Sequence, residues 1–137
     1  MLTKDELINK LREISNNNIN GIYQSGIHNK KNDGYSVLRS VRGTYYYKDD
    51  LSDCNNIKYT LSGKNGNQFT TKGFNKVLLS KLIHYVYLYE EFKNDENIQY
   101  YRWFGKYKKG GYYYSTCIGE NGMLRDIYIL KLIKIES

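Results

Sequence analysis

The segment from Tyr47 to Thr60 contains the residue types and spacing most suited to recognising a flat ring. Tyr47 opens the segment, and Tyr59 closes it next to Thr60. Three carboxylates lie between the two tyrosines, those of Asp49, Asp50 and Asp53. Two aromatic rings can hold a planar group from both faces, while a carboxylate accepts a hydrogen bond from its edge. An ordinary strand with a solvated acidic turn is the alternative interpretation of this segment.

The composition of the chain indicates a basic, globular protein. Its 137 residues suffice for one compact domain, and a hydrophobic content of 40% is too high for a disordered chain. The net charge of +7 indicates a polyanionic partner, because binding phosphates releases counterions and supplies affinity without sequence preference. The 16 tyrosines suit wet interfaces and strands alike, and an AT-rich genome would also explain them, so they decide nothing alone.

Cysteine spacing and the N-terminal residues predict an intracellular location. Cys54 and Cys117 form no metal-binding Cys-x-x-Cys pair, and nothing requires a disulfide between them. Lys4, Asp5 and Glu6 occupy the region where a signal peptide has its apolar run, and no apolar stretch reaches membrane-spanning length. We therefore expect a soluble protein of the cytoplasm or nucleus that is not secreted. We also expect it to hold no cofactor and no metal ion.

One helix is predicted before the segment from Tyr47 to Thr60, and one after it. Thr3 and Glu6 form a capping-box pattern, and an apolar stripe at helical spacing extends the first helix over residues 3–15. A second, short helix is expected over residues 72–83, where apolar residues cluster on one side.

Most of the remaining chain has the pattern of short strands separated by turns. The predicted strands cover residues 35–41, 57–61, 85–89, 99–107, 112–118 and 126–135. Asn32-Asp33-Gly34 predicts a tight hairpin, Gly105 a bulge, and Gly110-Gly111 a turn. Many short strands with few helices favour a small β-barrel that closes on itself. We therefore predict a mainly β, α+β fold in a single domain, 1–137, with its barrel over residues 22–135.

Six short motifs occur in an order and at spacings that resemble one known family. They are Gly26-Ile27-His28; Asn32-Asp33-Gly34-Tyr35-Ser36; Tyr47-Lys48-Asp49-Asp50 with Tyr59-Thr60; the run with Gly63, Gly66 and Gln68; Asn75-Lys76-Val77-Leu78; and Tyr101 to Tyr107 with Gly105. Each motif alone is weak, but together they support a resemblance that covers residues 22–135. The family is that of SRA (SET and RING-associated) domains, which read modified cytosine in DNA. The resemblance implies a small, twisted β-barrel of PUA-like fold.

The resemblance also implies that the barrel flips a base out of a DNA duplex and holds it in a pocket. Tyr47 and Tyr59 would stack on the two faces of the ring, and Thr60 would bound the pocket. Asp50 would accept a hydrogen bond from the exocyclic amine of cytosine, whereas thymine would leave a buried carboxylate unpaired. A methyl group adds only about 0.8 kcal/mol of apolar burial, so we expect a modest preference for methylated or hydroxymethylated cytosine.

The chain departs from the family pattern after Thr60. Larger members carry a long insertion where this chain has only residues 61–67, with Leu61 in place of glycine and Asn67 in place of aspartate. This shortening puts in doubt the reading of the opposite strand and any preference for hemimethylated sites. Upstream, Gln24 stands where family members insert a side chain into the gap left by the flipped base. A glutamine exposed on the surface is the alternative for that position.

Basic residues in predicted loops and at strand ends are candidates for contacts with DNA phosphates. They are Lys30, Lys31, Arg42, Lys64, Lys72, Lys106 and Lys108. A solvated surface is the alternative for any one of them, but collectively some should face the DNA.

We therefore predict a protein that binds double-stranded DNA, recognises a flipped, 5-modified cytosine and has no catalytic residue of its own. A PUA-like RNA-binding module is one alternative, and the small subunit of a modification-dependent restriction system, with a separate nuclease partner, is another. Glu91-Phe92-Lys93 is similar to the Glu-x-Lys of metal-dependent nucleases, but the match is short and falls inside the predicted barrel. A protein that mimics or inhibits a host factor would instead bind protein and no nucleic acid.

Overall fold

Two helices and six strands make up the part of the chain described by the computed structural model, residues 1–20, 22 and 26–136. The helices are α1 (Lys4–Ser15) and α2 (Gly73–Leu79). The strands are β1 (Ile27–Lys30), β2 (Tyr35–Val41), β3 (Asn56–Thr60), β4 (Tyr85–Lys93), β5 (Gln99–Ile118) and β6 (Leu124–Glu136). The predicted mainly β class, with an N-terminal helix and one short internal helix, is confirmed.

The strands form one curled sheet in the order β1–β2–β4–β5–β6–β3. β2 and β4 are parallel, and the other neighbouring pairs are antiparallel. β1 and β3 are the two edges of the sheet and do not pair with each other. The sequence predicted a barrel closed by strand pairing, and the observed sheet is open at these edges. A side chain bridges the opening instead, because the Tyr59 hydroxyl on β3 lies 2.9 Å from the Gly26 carbonyl oxygen and 3.0 Å from that of Arg39. The sheet is a half-barrel bridged at one end.

Local sequence signals account for α1 and for the turn between β1 and β2. The Glu6 N–H donates to the Thr3 hydroxyl at 3.3 Å, and the Thr3 N–H donates to the Glu6 carboxylate at 3.1 Å. The predicted capping box is therefore confirmed, and the apolar stripe buries Leu7 and Leu11 against the sheet. Gly34 has a φ of 79°, a left-handed conformation that glycine adopts easily, and it closes the predicted hairpin.

Strand β5 runs without interruption through Gly110-Gly111, so the turn predicted there is wrong. The ladder with β6 only shifts its register between Lys109 and Tyr112. A Cβ on Gly110 would lie 3.3 Å from the carbonyl oxygen of Lys131, so glycine permits a close approach of two strands here rather than a reversal. The bulge predicted at Gly105 is confirmed, because the register of β4 and β5 shifts beside it.

Helix α2 ends at Leu79, earlier than the apolar pattern predicted. The Ser80 hydroxyl donates to the carbonyl of Val77 at 2.6 Å. The Lys109 ammonium donates to the carbonyls of Leu78 and Ser80, each at 2.7 Å. These donors satisfy carbonyls at the helix end, so the chain can leave the helix and enter β4.

Two apolar clusters lie on the two faces of the sheet. One fills the inside of the half-barrel and includes Leu38, Leu88 and Leu132. The other lies between the outer face and α1 and includes Leu7 and Tyr89. Because side chains alternate along a strand, β4 contributes to both clusters. Among the described residues, neither helix is long and apolar enough to cross a membrane.

Candidate functional site

A cavity of about 280 Å³ opens where the ends of β1, β2 and β3 come together. Its aromatic lining consists of Tyr46, Tyr47 and Tyr59. Its polar and charged lining includes Arg39, Asp49, Thr60, Ser62 and Lys64. The structure therefore brings three of the predicted pocket residues, Tyr47, Tyr59 and Thr60, to one cavity.

Strand β3 supplies a rigid wall of this cavity through Tyr59 and Thr60. Tyr59 is only 3% exposed, and its ring also belongs to the apolar cluster inside the half-barrel. Burial raises the pKa of Tyr59 well above its ordinary value, so its hydroxyl stays protonated and donates to the Gly26 or Arg39 carbonyl. The Thr60 hydroxyl accepts the backbone N–H of Lys48 at 2.8 Å, which ties the loop between β2 and β3 to this wall.

Asp49 is the carboxylate that the fold encloses in the cavity. Its Oδ1 accepts the backbone N–H of Thr60 at 2.7 Å, and its Oδ2 accepts the hydroxyl of Ser40 at 2.6 Å. Burial raises the pKa of Asp49, against the hydrogen bonds from Ser40 and Thr60, and the nearby Glu90 carboxylate adds to the increase. Each carboxylate oxygen has two lone pairs, so Asp49 can accept a further hydrogen bond from a ligand.

Asp50, the acid expected in the pocket from the sequence, lies outside it. Its side chain is exposed, and its Oδ1 accepts the Ser52 backbone N–H at 3.0 Å and the Ser52 hydroxyl at 2.6 Å. These two bonds lower the pKa of Asp50. The backbone of Asp50 pairs with Lys58 of β3, and successive side chains of an extended segment point to opposite sides. The acid that lines this cavity is therefore Asp49, one residue before the predicted Asp50.

Tyr47 supplies a second aromatic surface, which is less buried than Tyr59. Its ring packs against Tyr46, with centroids 5.0 Å apart and an interplanar angle of 59°. Burial raises the pKa of Tyr47, although a backbone hydrogen bond from Gly63 and the positive charge of Arg125 act in the opposite direction. Part of the Tyr47 side chain remains exposed, so it can contact a planar ligand.

Sequence reasoning missed Arg125, which ties together the two loops that line the cavity. This residue of β6 is only 3% exposed. Its guanidinium donates to the carbonyl of Tyr46 at 2.5 Å, in the loop before β3, and to those of Gly63 and Gly66 in the loop after β3. The alternation of side chains along β6 could have identified this residue, because it places Arg125 on the same strand face as the buried Ile127. A charged residue at such a position needs polar partners inside the fold.

Two buried amides shape the loop between β3 and α2. Gln68 donates to the carbonyls of Leu61 at 2.6 Å and Gly63 at 3.0 Å. Asn75 exchanges two hydrogen bonds with the backbone of Ser62, at 2.8 and 3.0 Å. Both amides belong to the motifs behind the resemblance, and they position the loop whose Leu61, Ser62 and Lys64 line the cavity.

Three of the predicted phosphate-contacting residues lie at the cavity end of the sheet or in the adjoining loop. Lys64 lines the cavity, and its ammonium lies 3.6 Å from the Glu120 carboxylate. Arg42 follows β2 and forms an ion pair with Glu90 at 2.7 Å. Lys72 lies in the loop before α2 and is exposed.

Four other predicted phosphate contacts lie toward the opposite end of the sheet. These residues are Lys30, Lys31, Lys106 and Lys108. Lys30 pairs with Tyr35, the first residue of β2, whereas the cavity is lined by Arg39 and Val41 near its last. At about 3.3 Å per residue, this difference corresponds to roughly 13–20 Å along the strand. The seven basic residues therefore do not gather around the cavity.

Three further predictions concern Gln24, the cysteines and metal binding. Gln24 lies outside the described residues, so its insertion into DNA stays a prediction. Cys54 and Cys117 are both free thiols. Within residues 1–20, 22 and 26–136, no three His, Cys, Asp or Glu side chains come together in an arrangement that could hold a metal ion.

Comparison with known proteins identifies the fold. No family model matches the sequence, and no curated protein matches it. The structure of KRYPTONITE in complex with mCHG DNA and SAH aligns with a TM-score of 0.53 and 18% identity, over 74% of this chain and 23% of that one. The sulfur-binding and SRA domains of ScoMcrA, complexed with phosphorothioated DNA, align with a TM-score of 0.62 and 16% identity, over 100% of this chain and 39% of that one. The modification-dependent restriction endonuclease TagI aligns with a TM-score of 0.61 and 16% identity, over 92% of this chain and 47% of that one.

These likenesses show that the chain has the fold of an SRA domain. The resemblance inferred from six short motifs is therefore confirmed at the level of the fold. At 16–18% identity, structural similarity establishes architecture rather than activity. The chain also spans less than half the length of each of these three proteins.

Proposed function

We propose that this chain binds double-stranded DNA and holds a flipped, 5-modified cytosine in the cavity beside Asp49. The main support is one observation: a carboxylate is enclosed in a cavity that is lined by three tyrosines. A flat ring with a hydrogen-bond donor on its edge is the ligand that this combination fits best. The net charge of +7 suits a DNA duplex as the source of that ring.

The tyrosines account for recognition of the ring itself. Stacking of a base on an aromatic side chain contributes roughly 1–3 kcal/mol, which is comparable with the few kcal/mol needed to unstack a base. Tyr59 is held by the core and by its hydroxyl and is only 3% exposed, so a small, rigid part of it is open to the cavity. Tyr47 lies in a loop that Arg125 and Lys48 attach to the rest of the site.

Asp49 accounts for the choice of base. An ionised carboxylate accepts a hydrogen bond from the exocyclic amine of cytosine, the expected pairing of an acid with this base. Thymine presents a carbonyl at that position and would leave the carboxylate facing another acceptor. Ser40 and the Thr60 N–H already orient both oxygens, so the amine meets a carboxylate whose geometry is set in advance.

Modified DNA as the ligand class is supported by the proteins that share the fold. KRYPTONITE was solved with mCHG DNA, the ScoMcrA domains with phosphorothioated DNA, and TagI is a modification-dependent restriction endonuclease. Two of these proteins are restriction endonucleases, and this chain matches less than half of each. The proposal includes the prediction that a separate chain supplies a nuclease, because this chain matches only part of each endonuclease.

The test compares Asp49→Asn with Asp50→Asn, two neighbouring and chemically identical substitutions. Binding is measured at fixed salt to matched duplexes that carry cytosine, 5-methylcytosine or 5-hydroxymethylcytosine. We expect the wild-type chain to prefer a modified duplex and Asp49→Asn to weaken that binding about tenfold or more, as expected for losing a hydrogen bond to a charged group. Asp50→Asn should bind like the wild-type chain.

Two outcomes contradict the proposal in different ways. If Asp50→Asn removes the preference and Asp49→Asn does not, the pocket acid is the one that the sequence motif indicates. If the wild-type chain binds all duplexes equally and neither substitution matters, the cavity does not read a base. Titration of a matched RNA duplex and a single-stranded RNA in the same buffer then tests the RNA-binding alternative.

A further inference from the structure

The end of the hairpin formed by β5 and β6 carries large apolar side chains that are unusually exposed. Leu124 is 73% exposed and Met123 is 68% exposed, more than any other large apolar side chain of the described residues except Met1. Ile118, which pairs with Leu124 across the hairpin, is also exposed. Tyr45, from the loop before β3, is exposed and bonded to the same turn. We call these four residues the apolar hairpin end.

Hydrogen bonds attach the apolar hairpin end to the mouth of the cavity. The Glu120 N–H donates to the carbonyl of Lys64 at 2.9 Å, and the Asn121 N–H donates to the Asn65 side chain at 2.8 Å. Lys64 itself lines the cavity. The Tyr45 hydroxyl donates to the carbonyl of Glu120 at 2.7 Å. The turn is therefore fastened to both loops that border the cavity.

The turn is also held in shape by its own hydrogen bonds. The Gly119 N–H donates to the carbonyl of Met123 at 2.9 Å, and the Met123 N–H donates to the Asn121 side chain at 3.1 Å. Gly122 has a φ of 82°, a conformation that favours glycine. A rigid turn therefore exposes Met123 and Leu124 to solvent. Exposing apolar side chains to water is unfavourable, and polar residues at these two positions would avoid it if the turn had only a structural role.

The position of this surface beside the cavity indicates what covers it. Lys64 lies beside the turn, and it neutralises Glu120 at 3.6 Å, so the acid does not oppose an approaching polyanion. Asp126 lies further along β6, where its carboxylate accepts the Tyr114 hydroxyl at 3.0 Å. An apolar tip fastened to the mouth of a base-sized cavity is suited to a DNA duplex, because apolar side chains can enter a base step and kink it.

We propose that Met123 and Leu124 wedge into the base stack of the duplex next to the nucleotide that occupies the cavity. This inference rests on the proposed function and adds a second DNA contact, separate from Gln24 and from the loop over residues 61–67. The wedge separates neighbouring base pairs and so lowers the cost of extruding the cytosine. Tyr45 and Ile118 support its base.

The test is the double variant Met123→Gln with Leu124→Thr, which replaces the two exposed apolar side chains with polar ones. Leu82→Gln is the matched control, because Leu82 is also an exposed leucine but lies before β4, at the end of the sheet away from the cavity. Binding is measured to the preferred modified duplex and to an otherwise identical duplex in which the modified cytosine is mismatched. Fluorescence of 2-aminopurine placed beside the cytosine reports unstacking.

We expect the double variant to bind the paired duplex about tenfold more weakly, with a smaller rise in fluorescence, because the unstacking cost is no longer offset. The loss should shrink on the mismatched duplex, whose cytosine is already less well stacked. Leu82→Gln should match the wild-type chain. An equal loss on both duplexes contradicts insertion into the stack.

The outcomes separate this inference from the proposed function. If the wild-type chain prefers modified DNA and the double variant binds and unstacks it equally well, only the wedge is wrong, and the apolar hairpin end is left as a surface for another protein. If the wild-type chain shows no preference for any modified duplex, the proposed function fails and the wedge fails with it.

Discussion

Both ends of the sheet carry basic residues, yet the two ends are built differently. At the cavity end, Arg125 and Asp49 lie within the fold and bind backbone groups of the surrounding loops. At the other end, Lys106 lies 4.1 Å from the ring of Tyr85, and Lys30 donates to the carbonyl of Asn18. These lysines cover the rim of the apolar cluster under α1.

The difference shows that positive charge alone does not locate the enclosed polar site of this protein. Burial of a polar group costs free energy unless its hydrogen-bond partners are in place. Buried polar groups therefore mark positions where the fold supplies those partners. Exposed lysines carry no such cost and can stand anywhere on a basic surface. Three experiments test this contrast between the two ends of the sheet.

The largest effect is expected from Arg125→Met, which keeps the length of the side chain and removes its donors. Three carbonyls then lose their partner in a buried site, so we expect the free energy of unfolding to fall by about 2–4 kcal/mol. We also expect the preference for modified DNA to disappear in the fraction that remains folded. Urea unfolding and duplex binding at low temperature measure the two effects.

Arg12→Met is the control for Arg125→Met, because Arg12 is exposed on α1. Its effect on the free energy of unfolding should stay within about 0.5 kcal/mol. A similarly small effect for Arg125→Met would show that the two loops keep their positions without the guanidinium, and the contrast between the two ends of the sheet would then lose its physical basis.

A pH-dependent effect is expected from Asp49. Its pKa is raised above 3.8, so the folded chain binds this proton more tightly than the unfolded chain, and the free energy of unfolding falls as pH rises through the raised pKa. Asp49→Asn should lack this decrease, whereas Asp50→Asn should retain it. Binding of modified cytosine needs the ionised carboxylate, so it should weaken as pH falls through the same interval. Identical pH profiles for the wild-type chain and Asp49→Asn would show that this carboxyl has an ordinary pKa.

The smallest effect is expected from single lysines. Lys64→Gln should weaken binding to all duplexes a few-fold and reduce the slope of log affinity against log salt by about 1, as expected for one lost phosphate contact. Lys108→Gln, at the other end of the sheet, should change neither quantity. Equal salt slopes for the two variants would mean that the DNA contacts both ends of the sheet, or neither.

Much of the fold could be predicted because its signals are local. The capping box at Thr3, the bounds of β2 and the left-handed turn at Gly34 each depend on interactions within a few residues. Gly110-Gly111 had the same local signal as a turn, but the register and close approach of β6 made it a bulge within a strand. The difference lies in contacts with Lys131, which no window of sequence contains.

The candidate site likewise has features that the sequence predicts and features that depend on tertiary contacts. Residue order by itself determined that an aromatic and acidic segment precedes β3, and that Tyr47, Tyr59 and Thr60 belong to one constellation. Only the tertiary structure decided that Asp49 faces inward and Asp50 outward, because pairing of Asp50 with Lys58 sets which side of the segment each carboxylate occupies. It also decided that Arg125 joins two loops that are far from it in sequence. The physical reason is that hydrogen bonds and burial depend on distance in space, and the curl of the sheet sets those distances.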